Sequence, residues 1–450
     1  MLYPMQGGYT TPNFGPVPTF NMLLNSNHPY SLPPLHTKPP SFTPPYNSMT
    51  TFAHKSHNLV MPTVALGVTE PTMPYQILSA YEKFSRNLDY FERKFYKVTF
   101  NKLTSISPQE RRANGMSFVQ SGFFLQLTLM ALSLEVDSRT KVEIERTIGF
   151  RASEMETIGI IKELINSLPE PSERLKFRRA SRLMLWPGRE VSPRFHNGPA
   201  TALRLNIETF NGTEKPDQIT TVLNEKIEKD SGGAIRDTFD EDDLSGGITA
   251  VHTTTLYFRA RWRSAPTVLN GTWPFRDADD AKRTVRMIKL NDVMGYTEIK
   301  EWNAEALEIQ YAAPDLSLVM LVPRTASLRN LAEQVSTVSL GNITSRMKRI
   351  RIAATLPLYT LRMTLLLPNK LQAMGVNRLF EISNMKPGDP IRLSHMVQRL
   401  MFWAEAGRNA YKDDGLEWDE TPEMHLLVDR PYIFFVRWRN LTLMNGNFVL

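Results

Sequence analysis

The sequence predicts an α+β fold, and three observations carry that prediction. Beyond about residue 75, segments with apolar residues at helical spacing dominate the first half, and strand-like patterns dominate the second. No stretch repeats along the chain. No Pro/Gly-rich linker divides residues 76–450, so they read as one large domain. The 450 residues suffice for that domain plus a tail, and the 42% apolar content supports a substantial core.

Residues 1–75 differ in kind. They hold 14 of the 31 prolines and four of the eight histidines. Proline removes backbone donors and fixes φ, so a Pro-rich, disordered, partly polyproline extension is expected. From there the elements follow in order. "ILSAYEKFSRNLDYFERKFYKV" has a helical stripe. "GMSFVQSGFFLQLTLMALSLEVDSRTKVEIERTIGF" reads as a strand, a buried helix, and a helix opened by "SRTKVE". "EMETIGIIKELINSL" is a further helix and "RLKFRRASRLMLW" alternates like a strand. "PDQITTVLNEKIEKDSGGAIRDTF" is a helix that stops at Gly232–Gly233. Strands are then expected at "ITAVHTTTLYFRARW", "ALEIQYA", "LSLVMLVP", "RIRIAATLPLYTL", "YIFFVRW" and "NFVL", with a helix entered at Pro368.

Composition excludes several chemistries. The absence of cysteine removes disulfides, thiolate nucleophiles and Cys-based metal sites. No run approaches the ~18 apolar residues that cross a bilayer. The start "MLYPMQGGYTTP" lacks the basic and apolar regions of a secretory signal. "KDSGGA" (Lys229–Ala234) imitates a serine-protease nucleophile loop, but Lys229 stands where glycine is required, and a helix end explains the glycines better. His196, His252, His395 and His425 are far apart in sequence, and the acidic run Asp240–Asp243 reads as a solvated turn. No metal, cofactor or enzyme activity is expected. The net charge of +7 concentrates in "RLKFRRASR" and "SRMKRIRI". Arg174, Lys176 and Arg178 share one face of a strand, a candidate polyanion site that Lys348 and its neighbours would extend.

The second half then becomes recognisable. "VHTTTLYFRARW" resembles the serpin strand that ends in Phe-Lys-Gly-x-Trp, with Phe258, Arg259, Ala260 and Trp262 in those places. "LEIQYAAPDLSLVMLVP", "TLPLYTLRMTLLLPNKLQAMGVNRLF", "IRLSHMVQRLMFWAEAG" and "VDRPYIFFVRWRNLTLMNGNF" resemble further serpin segments in the family's order. The resemblance implies the serpin fold: a large five-stranded sheet, two smaller sheets, about nine helices and an exposed reactive loop. It implies suicide inhibition, in which a protease cleaves the loop and the loop inserts as a new central strand. It also implies a monomer, with a serine protease, another protein or a polyanion as partner and no nucleic acid. Family habit favours an extracellular location, which sequons at Asn211, Asn270, Asn342 and Asn440 permit. The missing signal favours a cytoplasmic one.

The hinge of that loop, "EAGRNAYKDD" (Glu405–Asp414), departs from the family. Small residues are usual where alternate side chains turn inward. With Gly407 as anchor, the inward set is Arg408, Ala410, Lys412 and Asp414. If Gln398 rather than Val397 takes the place of the family's histidine, one residue is missing and the inward set becomes Asn409, Tyr411 and Asp413. Either register buries charge, at several kcal/mol for each unpaired group. Ser121 matches one serine under the sheet. Phe124 replaces another, Gly122 stands in place of a proline, Thr254 replaces an asparagine, and Trp262 is retained. Counted back from Pro431, cleavage falls near Glu420–Thr421. The expectation is a serpin that traps proteases poorly and acts through binding, with a working serine-protease inhibitor as the alternative.

Overall fold

A computed structural model describes residues 80–104, 115–210, 216–244, 248–276, 282–325, 328–383, 385–386, 388–405 and 421–450. The Pro-rich extension expected over residues 1–75 lies outside them.

The chain enters through α1 (Ala80–Thr104), β1 (Phe118–Gln120), α2 (Gly122–Leu132), α3 (Ser138–Ile148) and α4 (Glu154–Ser167). Every residue of α2 is buried, as its uninterrupted apolar character requires. Ser153 and Glu156 close a capping box at the start of α4. After β2 (Leu175–Leu185), α5 (Pro193–Phe195) runs through a π turn at His196–Ala200 into α6 (Thr201–Leu203). Next come β3 (Leu205–Thr209) and α7 (Pro216–Ser231). Helix α7 stops at Gly232 (φ 70°) and Gly233 (φ 82°), a left-handed exit that suits glycine. "KDSGGA" is therefore a helix end.

Strands dominate from there: β4 (Ala250–Ala260), β5 (Thr267–Val268), β6 (Trp273–Arg276), β7 (Lys282–Val285), β8 (Met287–Ile299), β9 (Ala304–Gln310) and β10 (Leu316–Pro323). Two short helices, α8 (Leu328–Val335) and α9 (Leu340–Thr344), precede β11 (Lys348–Pro357) and β12 (Thr360–Leu366). Helix α10 (Pro368–Met374) is followed by β13 (His395–Trp403), β14 (Met424–Leu427), β15 (Tyr432–Trp438) and β16 (Leu441–Phe448).

One sheet has five strands in the order β12-β13-β4-β2-β3. The others depart in detail from one large and two small sheets. The 13 residues of β8 pair with β11 through Met287–Tyr296 and with β9 through Gly295–Ile299, which joins what would be two sheets into one nine-stranded sheet, with β5 beside β8 off the main path. The third sheet is the β6–β7 hairpin. "RIRIAATLPLYTL", expected as one strand, is two. Pro357 ends β11, and Tyr359 plugs the crossing to the other sheet, stacked on Phe448 at 3.8 Å and bonded to the Tyr432 hydroxyl at 2.8 Å. The main core lies between the two large sheets and around α1 and α2. A second cluster seats Ile219, Leu223 and Ile227 of α7 on Val251, Tyr257, Val397 and Met401, so the five-stranded sheet is covered on both faces.

Candidate functional site

Strand β13 runs parallel to β4 from His395 opposite Val251 to Trp403 opposite Arg259. A segment that leaves β13 and turns back runs antiparallel to it. Placed between β13 and β4, it would be antiparallel to both neighbours, so this seam suits the new central strand that the resemblance implies. The seam is closed along its length.

Its upper end is bolted. Arg259, in the lysine place of the motif, forms an ion pair with the buried Glu405, and its Nη2 donates to Glu405 Oε1 at 3.1 Å. The guanidinium lies 4.6 Å from the centroid of Trp403. Glu405, the first of the expected hinge residues, holds the guanidinium proton still more firmly than usual. Trp262 Nε1–H donates to the Glu405 carbonyl at 2.7 Å, and the Trp262 ring stacks on Tyr311 with centroids 4.6 Å apart. Prying Arg259 away would leave a carboxylate buried without this partner. Just inside, Phe258 of β4 and Phe402 of β13 face each other across the seam, stacked at 5.8 Å, and Phe402 stacks on Phe434 at 4.8 Å. An entering strand must part that pair.

In the middle of the seam the two candidates for the place of the family's histidine face opposite ways. Gln398 points inward: its Nε2 donates to the Ser121 carbonyl at 2.7 Å and its Oε1 accepts from the Ser121 N–H at 3.1 Å. Val397 faces α7 instead. If the inward-facing Gln398 takes the histidine's place, one residue is missing before the hinge. Ser121 Oγ caps α2 by accepting from Phe124 N–H and donates to the Leu443 carbonyl at 2.6 Å. Thr254 sits opposite Gln398 in the β4–β13 register, and the Phe124 ring packs against Phe177. Ser121 is thus bonded to Gln398, with Thr254 on the neighbouring strand, while Phe124 joins the core. His252 is a satisfied core residue on one side, its Nε2 3.0 Å from Ser181 Oγ, and burial pushes its pKa down to about 3.

One polar cluster was not anticipated. Glu92 of α1 is buried against the first turn of α2, where a Cβ on Gly122 would come 2.7 Å from its carboxyl carbon. Asn445 Nδ2 donates to Glu92 Oε2 at 2.8 Å. Gly122 therefore does two things that the usual proline cannot: it leaves room for the carboxyl, and it keeps an amide that faces it. The signal was legible, because Glu92 falls four residues from both Leu88 and Tyr96 on the apolar stripe of α1.

Arg174, Lys176 and Arg178 are all exposed at the start of β2. The Arg178 guanidinium lies over Gly232, where any side chain would collide with it. The second basic run belongs to the other large sheet, with Arg346 and Arg349 in ion pairs to Glu301 and Glu308. Among the described residues no group of three or more His, Asp or Glu is placed to hold a metal, and no helix is long and apolar enough to cross a membrane. Gly407, Arg408, Ala410, Lys412, Asp414 and Glu420 lie outside the described residues. Thr421 is exposed just before β14.

The fold is a five-stranded sheet with a parallel β13–β4 pair at its centre, packed on a nine-stranded sheet. Residues 96–449 match the family described as Serpin (serine protease inhibitor), and the chain belongs to that family. It is similar to Serpin B10 of Papio anubis, 24% identical over 352 residues that span 74% of this chain and 87% of that protein. Among solved structures it resembles Serpin48 of the insect Tenebrio molitor (TM-score 0.68, 18% identity, 81% of this chain and 97% of that one). It equally resembles native protease nexin-1 with heparin (TM-score 0.69, 17% identity, 83% of this chain and 100% of that one).

Proposed function

We propose that this serpin traps proteases poorly or not at all and acts through binding. The observation that carries the reading is the charge of the hinge sequence, Arg408, Lys412 and Asp414, in a segment that must enter a dry sheet. The bolted, aromatic-stacked seam supports it. A protease inhibitor of this family is a substrate that wins a race, and the chain is not itself a catalyst. Incubation with a panel of serine proteases, one of them specific for glutamate, is expected to give cleavage near Glu420–Thr421 and no SDS-resistant complex. Cleavage is expected to leave the melting temperature unchanged. A boiling-resistant adduct in good yield overturns the proposal in favour of a functional serine-type endopeptidase inhibitor, the reading that the retained Trp262 favours.

Polyanion binding fits either reading, and the exposed Lys176 and Arg178 favour it. Retention on heparin that falls with salt is expected. Lys176→Ala with Arg178→Ala is expected to lower the salt slope by about 2, one per cation lost. Unchanged retention and slope would place the site elsewhere.

A further inference from the structure

Strand β2 pairs with β4 along its whole length but with β3 only from Ser181 to Leu185. Beside its unpaired first half, a groove of about 720 Å³ opens between β2 and helices α2, α4 and α6. That volume falls within the ~300–1,000 Å³ usual for small-molecule sites. Phe124, Ile165 and Leu203, all nearly buried, form its apolar floor.

Four cations, Lys176, Arg178, Arg179 and Arg204, line the groove with Glu170 and Asp230, the last of which is paired with Arg182. Arg179 points to the core face of β2, unlike Lys176 and Arg178, and its Nη2 donates to the Ile165 carbonyl at 3.1 Å. Arg204, at the end of α6, donates from Nη2 to Asn166 Oδ1 at 3.0 Å. Each spends one nitrogen on the end of α4, out of a guanidinium with five N–H donors. Among the described residues neither makes an ion pair. Burial and then the repulsion of Arg204 hold the Arg179 proton less firmly than usual, only partly offset by Glu170. Two guanidiniums held together above an apolar floor, neither drawn into an ion pair by the nearby Glu170, match an anionic head joined to an apolar body.

We propose that this groove binds a single-chain anionic amphiphile, its carboxylate or phosphate head on Arg179 and Arg204 and its chain over Phe124, Ile165 and Leu203. A bidentate head would satisfy both forks at once and remove the repulsion between them. The inference goes beyond the proposed function and does not depend on whether the loop inserts.

Calorimetric titration of the full chain with laurate, monododecyl phosphate and methyl laurate, below their aggregation limits, tests it. At least one of the anions is expected to bind about tenfold more tightly than the ester, and the better anion names the head group. Arg179→Gln and Arg204→Gly are each expected to weaken that anion about tenfold. Both variants remove a repelling cation, and glycine suits the φ of 57° at position 204, so the fold is retained, as circular dichroism will check. Lys176 and Arg178 also line the groove, so Lys176→Ala with Arg178→Ala is expected to weaken the anion less than Arg179→Gln or Arg204→Gly does; an equal or larger loss would place the head on the polyanion face instead and overturn the assignment to Arg179 and Arg204. Equal binding of ester and anions, no binding of either anion, or undiminished affinity in both arginine variants would overturn the proposal.

Discussion

Glu92→Gln is expected to stabilise the protein at pH 8 and to leave its stability near pH 4 unchanged. Burial is the main reason that the pKa of Glu92 rises from 4.5 to about 8. The amides of Phe123 and Gly122 and the Asn445 side chain oppose the rise, while Asp89 adds to it. Arg93 gives no relief, since it is held by Asp89 and the Ser336 carbonyl. A carboxyl whose folded pKa lies above its unfolded value favours the protonated native state. Its contribution is complete below pH 4.5 and is lost as pH rises through 8. Linkage puts the loss on the order of 4 kcal/mol. Glutamine cannot ionise, and its oxygen can still face the α2 amides. Thermal melts at successive pH values should therefore converge at low pH and separate steadily between pH 5 and 8, with the variant several degrees higher at the top. Parallel curves would mean that Glu92 titrates as an ordinary surface acid. The effect belongs to the middle of the seam, because the same α2 turn is capped by Ser121, which Gln398 grips.

What was legible in the sequence was whatever local pattern decides. The buried run of α2, the capping box of α4, the glycine exit of α7 and the Pro368 entry of α10 each rest on residues within one or two turns. The α+β class and the family followed from the order of such segments. Strand β8 escaped notice because Lys289, Asn291, Asp292 and Glu298 interrupt its apolar positions, and its length, which fuses two sheets, has no local signature. The β11–β12 crossing reads as one apolar run because Pro357 alone marks its break, while the wedge of Tyr359 against Tyr432 and Phe448 rests on residues far along the chain. The seam illustrates the same limit. The choice between Val397 and Gln398 depends on Ser121, and the Arg259 bolt depends on Glu405, 146 residues away. Pairings across such distances are set by the whole fold. The Glu92–Gly122 match could have been suspected, because an acid on an apolar stripe and a glycine in a proline's place are both visible oddities.

Neutralising the hinge is expected to turn cleavage into capture. In Arg408→Thr with Lys412→Ala and Asp414→Ala, the residues that would face inward in the first register are small, as the family favours. Trapping requires insertion to outrun hydrolysis of the acyl-enzyme. Burying even one unpaired charge raises the barrier by roughly 3 kcal/mol, which slows insertion more than about a hundredfold. The ratio of SDS-resistant complex to cleaved product should rise by at least that factor, and the cleaved variant should melt well above its uncleaved form. If the anchor instead lies one residue further on, Asn409→Ala, Tyr411→Ala and Asp413→Ala is the set that gains. The two triplets therefore read the register that Gln398 suggests. A hinge neutralised both ways that still yields neither complex nor a melting shift would move the block from the loop to the seam. The next substitutions would then fall on Phe258 and Phe402, the stacked pair that an entering strand has to separate.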